Sequence, residues 1–91
     1  MVITLEEAKL YLRVDGDEED TLITNFIKAS EDICESVLRF ALSTFEVVPE
    51  VVKQAILFST SQFYEQRESL DMTVLIETVK RLLFAYRNES W

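Results

Sequence analysis

The chain has 91 residues, enough for one hydrophobic core and too few for a second. Hydrophobic residues make up 48% and charged residues 29%, which is a globular composition, and one glycine with one proline is too little turn chemistry for an all-β fold. A formal net charge of −8, no histidine and one cysteine argue against a phosphate-binding surface, an internal disulfide and the usual zinc sites.

The charge is unevenly placed. Residues 1–35 hold ten acidic and three basic side chains, residues 36–91 seven and six. A charged first third beside a nearly neutral, apolar remainder points to protein contacts made by the remainder. No apolar run approaches the ~20 residues needed to cross a bilayer. The start, Met-Val-Ile-Thr-Leu-Glu-Glu, lacks the basic region and apolar core of a signal peptide, which points to a cytoplasmic product.

The first predicted helix begins at Thr4-Leu5-Glu6-Glu7, a capping-box pattern, and runs to about Arg13 with Leu5, Ala8 and Leu12 as its apolar face. Asp15-Gly16-Asp17 is expected to break it. Asp17 then suits the N-cap of a second helix, over about 18–38, whose first turn carries Glu18, Glu19 and Asp20 where the helix dipole favours negative charge. Leu22, Ile23, Phe26, Ile27, Ile33, Cys34, Val37 and Leu38 recur at three- and four-residue spacing along one stripe of that helix. Thr24, Lys28, Glu31, Asp32 and Glu35 are assigned to its solvated side.

Residues 39–48 are β-branched and aromatic, and Phe45-Glu46-Val47-Val48 could be extended. They are too apolar for a free linker and read as an ordered connector. Pro49 fits the first position of a third helix, about 49–67. Val51, Val52, Ala55, Ile56, Phe58 and Phe63 cover one broad side, while Leu57 and Tyr64 make a second stripe nearly opposite. A helix apolar on two sides is central in its own domain or packs against another subunit. After a loop at Ser69–Thr73, a fourth helix over about 73–88 shows Leu75, Ile76, Val79, Leu82, Leu83 and Tyr86 on one face. The fold class is therefore all-α: one domain over 1–91, a small bundle of about four helices with a short connector between helices 2 and 3.

Little here suggests catalysis. Counting an EF-hand loop from Asp15 puts Asp20 at the sixth position and Phe26 at the twelfth, where glycine and glutamate are required. Cys34 lies on an apolar stripe and has no histidine for a base. One glycine cannot build a phosphate loop. Neither a catalytic site, a metal nor a cofactor is expected. The candidate functional residues are protein contacts instead. Phe84, Leu57 and Trp91 are poorly explained by burial within a monomer, and Tyr64 with Arg67, and Tyr86 with Arg87, either pair an aromatic with an arginine as interface hot spots do or have each tyrosine close its own core while the arginine meets the C-terminal helix dipole.

Three segments, in order, resemble one family. They are Leu5-x-x-Ala8-Lys9-x-Tyr11-Leu12-Arg13-Val14-Asp15 with Asp17, Asp20 and Leu22-Ile23; Pro49 with Val52–Leu57 and Phe63-Tyr64-Glu65-Gln66-Arg67-Glu68; and Leu82-Leu83-x-x-Tyr86-Arg87. Together they resemble the phage head–tail connector family of the HK97 type, also described as phage DNA-packaging proteins. The segment between helices 2 and 3 is short for that family, and the loop after Glu68 lacks an expected proline. The resemblance implies a virion subunit, assembled in the bacterial cytoplasm, that forms a homo-oligomeric ring. The ring would join the portal to tail or adaptor proteins and line part of the DNA channel, with no membrane contact and no sequence-specific nucleic-acid binding. An acidic first third facing that channel would repel DNA in transit. The competing reading from charge alone is an acidic helical inhibitor of the DNA-mimic type, or a helical adaptor, binding a host protein.

Overall fold

The computed structural model describes residues 2–86. Four helices, α1 (Leu5–Leu12), α2 (Asp20–Leu38), α3 (Glu50–Glu65) and α4 (Met72–Leu83), are joined by short connections. Single 3-10 turns occupy Leu42–Thr44 and Phe84–Tyr86, and no strand occurs among the described residues. The all-α class expected from the sequence is the observed one. The chance that residues 45–48 form a strand is not realised. Among the described residues no second strand pairs with them, and Phe45 packs edge-on against Phe40 and Tyr86, with ring centroids 5.2 and 6.3 Å apart.

Thr4 caps α1 through the reciprocal pair read in the sequence. The Glu7 amide donates to Thr4 Oγ1 at 3.1 Å, and the Thr4 amide donates to Glu7 Oε1 at 3.0 Å. The helix stops at Arg13, which lies in the left-handed region at φ 62°. Its amide reaches the Leu10 carbonyl at 3.3 Å and the Val14 amide reaches the Lys9 carbonyl at 2.9 Å, which together satisfy the last turn. This corrects the expectation that the acidic turn around Gly16 breaks the helix. Gly16 does not adopt positive φ, and the left-handed residue is the arginine three positions earlier. Arg39 plays the same part at the end of α2, at φ 67°.

The start of α2 also differs from expectation. The helix opens at Asp20 after Glu19, without a side-chain cap, and Asp17 is not its N-cap. Asp17 and Asp20 instead accept from Lys9 Nζ at 3.2 and 2.7 Å. An ammonium offers each carboxylate a charged hydrogen bond, stronger than a neutral amide would give. The lysine thereby ties α1 to the first turn of α2.

The α2 and α3 helices form the centre of the bundle, with α1 and α4 packed on the pair. Ile23, Ile27, Cys34 and Leu38 of α2 meet Val52, Ala55 and Ile56 of α3, and Val79 and Leu83 of α4 complete a core in which all nine are fully buried. Small hydroxyl residues let the two central helices approach. Ser30 and Thr60 lie 3.1 Å apart across the interface, and each also reaches the carbonyl four residues back in its own helix. Their two protons serve three contacts. No buried side-chain nitrogen or oxygen among the described residues lacks a partner.

Two carboxylates assigned to the solvated side of α2 do structural work instead. Glu31 accepts from the Val2 and Ile3 amides at 2.7 and 3.3 Å, fixing the N-terminal segment so that Ile3 is fully buried. Glu35 accepts from the Leu42 amide at 2.7 Å and holds the connector. Periodicity showed that both lie off the apolar stripe. It could not show that neighbouring chain would bring amides to them.

Candidate interaction surface

Among the described residues no group of three or more acidic or cysteine side chains converges as metal ligands, and no helix is long and apolar enough to cross a membrane. Cys34 is fully buried, and burial, reinforced by Glu31 and Glu35, pushes its thiol up to about 12. A neutral thiol without access to solvent is not a nucleophile. The surface is where the chain departs from an ordinary small domain.

One departure lies on α1. Leu10 is 82% exposed and Tyr11 is 44% exposed, although both belong to a helix whose other face is buried. Leu10 stands as a ridge between two open grooves. The larger, about 660 Å3, has Leu5 and Val14 beside Glu6, Arg13 and Asp15. The smaller, about 360 Å3, runs between α1 and α3, with Leu57 and Glu50 on its far side.

The second departure lies on α4. Val74, Arg81 and Phe84 follow at spacings of seven and three residues, which puts them along one outward row. Val74 is 61% and Phe84 68% exposed. Leu82 and Tyr86 flank the row and are also exposed, whereas Leu75, Val79 and Leu83 take the buried side. Among the described residues Arg81 has no ion-pair partner, while Lys80 is 3.6 Å from Glu77.

A third cluster is internal. The Tyr64 hydroxyl donates to Glu19 Oε1 at 2.5 Å, and Arg67 lies 3.7 Å from Glu19 Oε2 with its guanidinium 5.6 Å from the centre of the Tyr64 ring. The bond to Glu19, helped by partial burial, raises the Tyr64 pKa above its ordinary value. This cluster latches the end of α3 to the start of α2.

Comparison with known proteins decides what kind of domain carries these surfaces. A family model described as the phage gp6-like head–tail connector protein matches residues 2–88. The chain belongs to this connector family. Its fold is also similar to the crystal structure of bacteriophage HK97 gp6, with a TM-score of 0.74 at 25% sequence identity, covering 96% of this chain and 94% of that one. No curated protein matches the chain significantly.

Within this connector-family fold the six residues singled out from sequence go to different places. Phe84 is on the surface. Tyr64 and Arg67 are joined to each other through Glu19, so their aromatic–arginine pairing has an intramolecular explanation. Leu57 is only 8% exposed, which corrects its reading as a free surface residue. The second apolar stripe of α3 exists because α3 is central, with α1 covering the side that Leu57 occupies. Arg87 and Trp91 lie outside the described residues. Leu10 and Val74 were missed, though the argument that flagged Phe84 applies to both: an apolar side chain off the buried stripe of an amphipathic helix.

Proposed function

We propose that this connector-family chain assembles into a ring that joins the portal of a tailed-phage head to the tail and lines part of the channel for the genome. The observation that carries the reading is the match to the connector family across residues 2–88. Its support from physics is the surplus of apolar surface at Leu10, Val74 and Phe84, which a subunit this small would bury by assembling. The partners are further copies of the chain, the portal protein and tail or adaptor proteins, and the site of action is the virion after assembly in the host cytoplasm. Its work is structural rather than catalytic.

The acidic surface is part of the same proposal. Glu18 and Asp32 are exposed, and facing the channel they would keep DNA from adhering in transit. Glu19 and Asp20 serve the latch and the Lys9 bridge, so charge reversal at Glu18 and Asp32 is the cleaner probe of this role. The same internal engagements weigh against a DNA mimic, which needs its carboxylates free over a broad face. Glu19, Asp20, Glu31 and Glu35 are all committed within the chain.

Deleting the gene from the phage that encodes it tests the reading. The expected lysate holds DNA-filled heads and separate tails, with joined particles restored by supplying the protein. Normal yields of joined, infectious particles after deletion would overturn it.

A further inference from the structure

The two unexplained apolar surfaces differ in shape and in charge. On α1, a Leu10 ridge stands between grooves whose linings are rich in carboxylates: Glu6, Asp15, Asp17 and Asp20 in the larger, against Lys9 and Arg13. Asp17 and Asp20 are already bridged to Lys9, which leaves Glu6 and Asp15 as exposed acids at that rim. On α4, the row is a knob, Phe84, beside a cation, Arg81, that is unbridged among the described residues. An acidic, grooved face and a basic, protruding face are complementary in both respects.

Their placement adds a constraint. Both α1 and α4 pack on the central α2–α3 pair, and they share no substantial contact with each other. One copy therefore cannot satisfy its own α1 grooves with its own α4 row. A contact of one face with the other, between copies, is heterologous, and repeated heterologous contacts close into a ring when the rotation per step permits. A two-fold contact would instead set the net-acidic α1 rim on itself, with Arg13 as its countercharge, or Arg81 on Arg81, with the nearby Glu77 already facing Lys80.

We infer that the subunit contact of this protein seats Phe84 and Arg81 of one copy in the α1 grooves of the next, with Phe84 against Leu10 and Arg81 facing Glu6 and Asp15. This rests on the ring reading above and deepens it by naming the two faces. Phe84 would lose its solvent exposure against Leu5, Leu10 and Val14, and the acidic rim would select the basic edge of α4 over its own kind.

Cysteine cross-linking in assembled particles tests the pairing, since Cys34 is fully buried and does not compete. Leu10→Cys and Phe84→Cys, which unlike a serine keep an apolar side chain for the contact, are introduced singly and together, and assembled particles are treated with a short bismaleimide. The double variant is expected to give a ladder of multimers, and each single variant only monomer. Cross-linked dimers of Leu10→Cys alone, or of Phe84→Cys alone, would overturn the heterologous contact. Rings seen by imaging without a ladder in the double variant would overturn these faces while leaving the ring reading intact. Joined particles that hold only a single copy of the chain would overturn the ring itself. As an independent arm, Arg81→Glu is expected to abolish assembly, and combining it with Glu6→Lys and Asp15→Lys to restore it. Unimpaired assembly of Arg81→Glu would contradict the charge complementarity.

Discussion

The carboxylates before and along α2 and the outer row of α4 make opposite uses of surface chemistry. The first region is dense in charge, yet most of its groups answer to one another: Lys9 to Asp17 and Asp20, Tyr64 and Arg67 to Glu19, the Val2 and Ile3 amides to Glu31. The second is sparse: Val74 and Phe84 are exposed, and Arg81 has no ion-pair partner among the described residues. The difference teaches that charge density alone does not mark the surface that the fold leaves open. Most of these charged groups hold helices together, while the α4 row exposes apolar side chains that the core does not use.

That contrast can be broken most severely in the core. Ile56→Ala removes a fully buried side chain between the central helices and is expected to cost about 2–5 kcal/mol in a denaturant titration. In a chain whose total stability is of order 10 kcal/mol, assembly would fail only because the subunit unfolds. Next comes Glu31→Ala, which strands two backbone amides and releases the segment that buries Ile3. Loss of a partly buried, charge-assisted pair is expected to cost about 1.5–3 kcal/mol. A change under a few tenths would return Glu31 to the solvated role that its helix position suggests.

Alkaline titration probes both regions at once. The Cys34 thiol is pushed up to about 12 by burial, Lys9 is raised mainly by its bond to Asp20, and Tyr64 is raised mainly by its bond to Glu19. Each group holds its proton more tightly folded than unfolded, so the unfolded chain releases protons first as pH rises. Stability is therefore expected to be level below the ordinary thiol value of 9.0 and to fall above it. The Cys34 part amounts to roughly 1 kcal/mol per pH unit until the folded value is reached. Urea midpoints from pH 7 to 11 read this directly, and a midpoint that climbs with pH would contradict the sign. The smallest effect is at a helix end. Arg39 sits at φ 67°, where a side chain is strained and glycine is not, so Arg39→Gly is expected to add about 0.5–1 kcal/mol.

Much of the fold was legible because it depends on spacing and local chemistry. The α2 stripe, the Thr4 capping box and the class itself follow from patterns that act within a few residues, and α3 starts one residue later than expected, with Pro49 as its N-cap. What escaped the sequence depends on contacts between distant segments. The Arg13 left-handed turn is the exception, closed locally onto the Leu10 and Lys9 carbonyls with no glycine to mark it. Lys9 captures Asp17, and Glu31 captures the Val2 and Ile3 amides, over separations that no helical period encodes. Leu57 was misplaced for the same reason, since only the docking of α1 shows which side of α3 is covered. Phe84 was found by its departure from the α4 stripe, and the same test applied evenly would have found Leu10 and Val74.

Phe84→Ser offers the most direct test of the claim that the outer α4 row is for assembly and not for the fold. Two quantities are measured on one variant: the denaturant midpoint of the purified chain, and the yield of head–tail joined particles when it replaces the wild type. An exposed side chain outside the core should leave stability within about 0.5 kcal/mol. The account predicts that unchanged midpoint together with loss of joined particles. A stable Phe84→Ser chain that supports wild-type numbers of joined particles would contradict it.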